Sequence, residues 1–222
     1  MYVNDILITG NNQDAINEIL AQLNKRFMMK HLGQANEFLD IKIDHGSNQY
    51  FLSQQKYAQH ILQQANVTNC NPLANPTSTK LPATFKEDPV LNNPAIYHRT
   101  TGSLQYLTLA RPDIAYSVNL LFKHMHNPLP QHFYLLKRLL KYIKGTLAYG
   151  IPITKTNLFL KSFSDADWAG DPISRKSTTG YCSFLGETII SWTVKKQHTV
   201  SRSSTESEYR ALAALTSEYY LD

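Results

Sequence analysis

The sequence predicts a mixed α/β (α+β) chain laid out in successive segments. Three observations predict this class. Apolar residues recur at spacings of three and four over residues 12–28 and 131–144, which is helical periodicity. Residues 37–53 and the stretch from about Asn157 onward alternate apolar and polar residues or carry β-branched and aromatic ones, which is strand texture. Between the first helix-and-hairpin unit and the rest lies a stretch, 68–95, rich in Asn, Pro, Thr and Ser.

Taken in order, YVNDILIT at residues 2–9 is expected to be a strand with a polar break at Asn4 and Asp5. A strand needs a partner, and Met1 leaves almost none of a first hairpin arm, so the chain is expected to begin inside an element. Residues 12–28 follow as an amphipathic helix on Ile16, Ile19, Leu20, Leu23 and Phe27, with Asn11 or Asn12 as its cap. FLDIKID, HGSN and QYFLS then read as strand, turn and returning strand. A helix from about Gln54 to Ala65 comes next.

Beyond the linker, GSLQYLTLA is helical up to Arg111-Pro112-Asp113, where the proline opens a new helix carrying Ile114 and Val118. The helix from Gln131 to Lys144 has an apolar face of Leu135, Leu136, Leu139, Leu140 and Ile143. Lys137, Lys141 and Lys144 lie opposite, and Gly145 is expected to stop it. NLFLKSF, YCSFLG and TIISWTV predict three successive strands. Ser203, Ser204 and Thr205 offer an N-cap for a last helix over Glu206–Ser217. Three strands and one helix make a thin pair of layers, so this last unit is expected to be incomplete. The expected segments are 1–67, a linker at 68–95, a helical connection at 96–150, and the sheet-bearing part at 151–222.

The composition narrows the function. Of the 222 residues 42% are hydrophobic, enough for a packed core, and the net charge is +5. The distribution is more telling. No acidic residue occurs between Asp113 and Asp165, while Lys123, Lys137, Arg138, Lys141, Lys144, Lys155 and Lys161 all fall there. Such a field suits a polyanion, and a solvated helix face is the competing explanation. Cys70 and Cys182 have no metal-ligand spacing and point to a reducing, intracellular setting. No apolar run approaches the roughly 20 residues of a membrane span, and the N-terminus lacks the charged start of a secretory signal. The sequence does not separate nucleus, cytoplasm and organelle, and it leaves the oligomeric state open. The scattered histidines His98, His124, His126, His132 and His198 have no zinc spacing.

The order of the motifs carries a resemblance over essentially the whole chain. YVNDILITG resembles the Tyr-X-Asp-Asp hairpin of reverse transcriptases in its copia-type form, YVDDILITG. FLDIKI with FLSQQKYAQHIL is similar to the copia-type FLGIKI and FLSQXKYAXXIL. YHRTTGSLQYLTLARPDIAYSVN, HNPLPQHF and LLKRLLKYIKGT resemble the family's connecting segment. SDADWAGD, RKSTTGYC and ISWTVKKQHTVSRSSTESEYRAL resemble the start of its ribonuclease H domain. The chain is thus identified as similar to copia-type retrotransposon Pol polyproteins. The resemblance implies a reverse transcriptase palm and primer-grip part at 1–67, the linker and helical connection, and the N-terminal part of a ribonuclease H-like domain at 151–222.

The resemblance also implies sites. Nucleotide addition uses two metal ions held by carboxylates. At the polymerase position the tip reads Asn4-Asp5. Asn4 occupies the main metal-ligand position, where a neutral amide is the weaker ligand for Mg2+, and Asp5 matches the supporting aspartate. Asp40 stands where the family has glycine, whose backbone freedom an aspartate lacks. In the ribonuclease H part, Asp165 resembles the first-strand aspartate and Glu208 the first-helix glutamate, with Asp167 and Glu206 secondary. Glu206 is better explained as a first-turn acid favoured by the helix dipole. About four carboxylates are needed for two-metal cleavage, so Asp5, Asp165 and Glu208 form incomplete sets. Phosphate contacts are expected from Lys137, Lys141, Lys144, Lys195, Lys196 and Arg202, with Arg210 also near. The expected function is that of a Pol fragment without catalysis of its own. Retained RNA or RNA–DNA hybrid binding and a non-functional pseudogene product stand as alternatives.

Overall fold

The computed structural model describes residues 6–78 and 93–219. Its elements form two antiparallel sheets and a helical core between them in sequence. The first helix, α1 (Gln13–Arg26), starts where Asn12 caps it, accepting the Asp14 and Ala15 amides at 3.0 and 3.2 Å. Its apolar spacing is real, but it buries none of its residues, and Ile19 and Phe27 stay about half exposed.

The hairpin region is three strands rather than two. β1 (Glu37–Phe38) turns tightly into β2 (Ile41–His45), which pairs with β3 (Gln49–Ser53). The β1–β2 turn is made by Leu39 and Asp40, at φ +49° and +60°. Two successive left-handed residues are the pattern of a type I′ turn, whose sense matches the twist of the strands. Asp40 therefore sits in backbone geometry that glycine adopts freely, as its place in the family motif implied.

α2 (Gln55–Gln64) then enters the main core. With it pack α3 (Pro94–Leu107), α4 (Ala115–Phe122) and α5 (Pro130–Gly145), a short 3-10 turn at Pro112–Ile114 leading into α4. Ile61, Leu104, Ile114, Val118, Leu136 and Leu140 are among the side chains sealed there. Residues before and after the linker thus share one core, because α2 alone has too little apolar surface to fold on itself.

Gly145 does not stop α5 as expected. It is the last helical residue, and a Cβ there would lie 2.9 Å from the Pro72 Cβ. The glycine makes room for the 68–78 segment to cross the helix.

After α5, β4 (Ile151–Thr154) pairs with β3, so the first sheet runs β1-β2-β3-β4. The residues expected to open the last segment are thereby joined to the first hairpin. β4 also touches the second sheet, where the Thr154 amide donates to Thr188 Oγ1 at 3.2 Å.

The second sheet is β5 (Leu160–Asp167), β6 (Thr178–Leu185) and β7 (Thr188–Lys196), in that order. Gly186, at φ +60°, makes the two-residue turn between β6 and β7, where a Cβ would strike Thr156. α6 (Ser204–Ser217) packs over β5 and β6. Ser203 caps it, its hydroxyl accepting the Glu206 amide at 3.1 Å.

Candidate nucleic-acid interface

Asn4 and Asp5 lie outside the described residues. Beside the β1–β3 hairpins lies a small mixed-charge cleft of about 330 Å³ that includes Asp40, Lys42, Lys56 and Tyr57. The Tyr106 hydroxyl donates to the Leu39 carbonyl and ties the left-handed turn to α3.

The lysines of α5 are on the side opposite the core, as the spacing dictates, but solvent is not what they meet. The 68–78 segment lies across that side. Lys144 Nζ donates to the Thr68 carbonyl and, at 2.7 Å, to that of Cys70. Arg138 Nε donates to the Thr77 carbonyl at 2.8 Å, and the Leu73 amide to the Lys141 carbonyl at 3.3 Å. Lys137, Lys141 and Lys144 are all half-buried. The Lys144 ammonium and the Arg138 guanidinium satisfy carbonyls of a loop that has no secondary structure of its own to do so.

Arg111 sets the other end of α5. It is 2% exposed, its guanidinium gripping Asp113 through two bonds of 2.8 Å. It also donates to the Thr146 carbonyl and hydroxyl at 2.9 and 2.7 Å. The Tyr142 hydroxyl completes Asp113 at 2.8 Å. Burial draws the Asp113 pKa upward, but the Arg111 hydrogen bonds and charge, with Tyr142, outweigh it and hold the carboxyl below its ordinary range. The Arg-Pro-Asp triplet is thus a clamp between α3, α4 and α5, a role that nothing local in the sequence announces.

In the second sheet, strand alternation decides what Asp165 and Glu208 can do. Ser162 points to the α6 side, since its hydroxyl lies 3.1 Å from that of Tyr219 at the end of that helix. Ser164 and the buried Ala166 share that side, and Phe163, Asp165 and Asp167 take the other. That other face is bordered by α4, whose Lys123 Nζ donates to Thr178 Oγ1 at 2.9 Å. The nearby Asp167 carboxylate, after desolvation, raises the Tyr116 pKa. Glu208 rides on α6, exposed, one residue beyond the buried Ser207. Among the described residues no three His, Cys, Asp or Glu side chains are grouped as candidate metal ligands.

Glu206 has a structural task. Its carboxylate accepts the Arg202 amide at 2.7 Å and pairs with Arg210 at 2.6 Å, closing the cap that Ser203 begins. The Arg202 amide is the main reason its pKa is lowered. Lys196 is likewise occupied, bound to Asp171 at 2.5 Å. Lys195 and Arg202 are exposed. Trp168 is 45% exposed, and its Nε1 donates to the Ser201 carbonyl at 3.1 Å.

Between α6 and the β6–β7 ribbon opens a cleft of about 560 Å³. Lys195, Gln197, Arg210 and Glu218 line it. Glu218 accepts the Tyr181 hydroxyl at 3.0 Å and that of Ser191 at 3.4 Å. The sequence showed Lys195 and Arg210 but not the cleft, because its two walls are 15 residues apart in the chain and meet only when α6 folds back. Among the described residues no helix is long and apolar enough to cross a membrane.

The comparisons with known proteins bear on the whole length. The family described as reverse transcriptase (RNA-dependent DNA polymerase) matches residues 1–79. An uncharacterized mitochondrial protein of Arabidopsis thaliana is 47% identical over 98% of this chain and 91% of its own length. The retrovirus-related Pol polyprotein from transposon RE2 of Arabidopsis thaliana is 42% identical over 98% of the chain. That from transposon TNT 1-94 of Nicotiana tabacum is 36% identical over 95%. The chain spans 15% and 17% of the length of those two polyproteins. No solved structure matches it significantly. Reverse transcriptases act on nucleic acid with divalent metal ions, and that chemistry belongs to the family as a whole. With motifs, architecture and relatives in agreement along nearly the entire length, the chain belongs to the copia-type family of retrotransposon Pol polyproteins and corresponds to a reverse transcriptase-like stretch of them.

Proposed function

We propose that this chain serves as the junction of a Pol polyprotein between the polymerase palm and the ribonuclease H sheet, and that it cuts no nucleic acid by itself. The observation that supports this reading is strand alternation on β5, which turns Asp165 away from the side where Ser162 meets Tyr219 and α6 carries Glu208. Two-metal cleavage needs clustered carboxylates at a few ångströms from each ion, and these two side chains do not form such a cluster. The proposed segments are a palm and primer-grip part over 1–67, a linker over 68–95, a helical connection over 96–150, and a ribonuclease H-like part over 151–222, whose first strand β4 joins the first sheet. At the polymerase position, Asn4 in place of the ligand aspartate argues in the same direction. Magnesium is the ion the family's carboxylate chemistry calls for.

A second reading, RNA or RNA–DNA hybrid binding without chemistry, is favoured by Lys195 and Arg202, exposed on the same ribbon-and-helix corner. Contacts of this kind go to phosphates and weaken steeply with salt. The test is magnesium-dependent cleavage of a labelled RNA–DNA hybrid by the purified chain, with Asp165→Asn as control. No cleavage by either protein is expected. Cleavage lost in the Asp165→Asn chain overturns the proposal, and hybrid retention that falls with salt supports the second reading.

A further inference from the structure

Residues 68–78 cross the outer side of α5 as a strap. They form no helix or strand, and none of them is buried, although Val67 just before them is. α5 holds the strap down. Lys144 Nζ donates to the Thr68 and Cys70 carbonyls, and Arg138 Nε donates to that of Thr77. The Leu73 amide donates in turn to the Lys141 carbonyl. Pro72 rests on Gly145, where a Cβ would lie 2.9 Å from its own. Cys70 packs, half-buried, against the helical core.

The strap satisfies Lys144 and Arg138 without neutralising them. These contacts run from a cation to a neutral carbonyl, and residues 68–78 include no acidic side chain. α5 brings none either, since no acidic residue occurs between Asp113 and Asp165. A phosphate oxygen would accept from the same donors with a charge of its own, and such bonds are roughly twice as strong as those to a neutral acceptor. The exposed carbonyls that the cations leave go to water, so the exchange loses few hydrogen bonds.

We propose that the strap is a displaceable cover over a phosphate-binding face of α5, and that the backbone of an RNA–DNA hybrid displaces it. Lys144 and Arg138 then trade the carbonyls of Thr68, Cys70 and Thr77 for phosphate oxygens, and the strap swings out from Val67. This regulation rests on the reading of the chain as one that holds a hybrid. It adds to the open Lys195–Arg202 corner a second contact surface that stays closed until the hybrid arrives.

Thiol labelling and hybrid binding on the full chain test it, with Cys182→Ser leaving Cys70 as the single thiol. Because Cys70 travels with the strap, saturating hybrid is expected to speed its labelling at least about threefold. Gly145→Gln lifts Pro72 without touching a cation. It is expected to speed labelling with no hybrid present and to steepen the log–log salt dependence of hybrid binding by about 1–2, as Lys144 and Arg138 gain phosphates. Lys144→Ala added to Gly145→Gln takes about one of that slope back. Circular dichroism checks folding, and where Gly145→Gln does not fold, Lys144→Ala alone decides: it should loosen Cys70 and still flatten the salt slope. Hybrid that binds while Cys70 labelling is unchanged or slower overturns the strap and leaves the Lys195–Arg202 reading standing. Faster labelling in Gly145→Gln with an unchanged salt slope overturns it too, since nothing under the strap then meets phosphate. A chain that binds no hybrid in any form overturns both.

Discussion

In the helical centre, Leu104, Leu107, Ile114, Val118 and Leu139 have no exposed surface at all. In the C-terminal sheet and its helix, Phe163, Tyr209 and Leu212 stay about half or more exposed. The buried positions there are largely small or polar: Ser177, Thr179, Ser183, Ser207 and Ala211. Both regions are built from regular elements with good caps and turns, so secondary structure does not distinguish them. What differs is whether each apolar face found another to cover it. α2, α3, α4 and α5 cover one another, while among the described residues β5 to β7 pack against α6 on one face and meet α4 and β4 along β7. The lesson is that burial of apolar faces, not regular secondary structure, separates the helical centre from the sheet.

The largest effect expected is at Arg111. Arg111→Met removes the cation that neutralises the half-buried Asp113 and a donor to the Thr146 carbonyl and hydroxyl, a cost of about 3–5 kcal/mol in urea unfolding. A loss under about 1 kcal/mol would break the view that this clamp holds the centre. Next, Leu139→Ala opens a cavity in the sealed core and costs about 3 kcal/mol. By contrast Leu158→Ser, at a side chain 82% exposed ahead of β5, changes stability by less than about 0.5 kcal/mol. Equal effects at the two leucines would erase the contrast.

The third prediction concerns pH. His132 is 4% exposed, its Nδ1 accepts the Leu129 amide at 2.9 Å, and its ring stacks on that of His124 with centroids 3.7 Å apart. Burial first, and His124 second, push its pKa down from 6.5 to about 4. In that window the unfolded chain binds a proton that the folded chain does not. Its contribution is therefore intact above about pH 6.5 and is lost as pH falls toward 4. The melting temperature should drop over this range, and His132→Asn, which keeps an acceptor but cannot titrate, should flatten that part of the profile. An unchanged slope in the variant would assign the acid sensitivity elsewhere. The smallest effect is at the turn. Asp40→Gly relieves a left-handed aspartate and should stabilise the hairpin by about 0.5–1 kcal/mol, read by hydrogen exchange of the β2 amides.

The helices and strands were legible because their signals are local. Asn12 and Ser203 cap where the sequence has cap residues before an apolar period, and Pro112 starts a turn of helix where proline fits. The carboxylates Asp165 and Glu208 were legible as motif residues, but not their separation, since alternation on a strand and rotation on a helix fix direction only once the two are packed. Lys144 shows the same limit: the spacing put it opposite the core, and only the 68–78 segment crossing α5 turned it from a solvent cation into a hydrogen-bond donor.

By itself the sequence determined the family, the α+β class, the order of the elements and the identity of the chemical side chains, because motifs, periodicity and caps are properties of neighbours along the chain. Only the tertiary structure decided that β4 returns to β3, that Arg111 is sealed and that Lys144 meets the 68–78 segment. Those outcomes depend on which surfaces meet across tens of residues, where the energy lies in burial and in satisfied polar groups that no local pattern records.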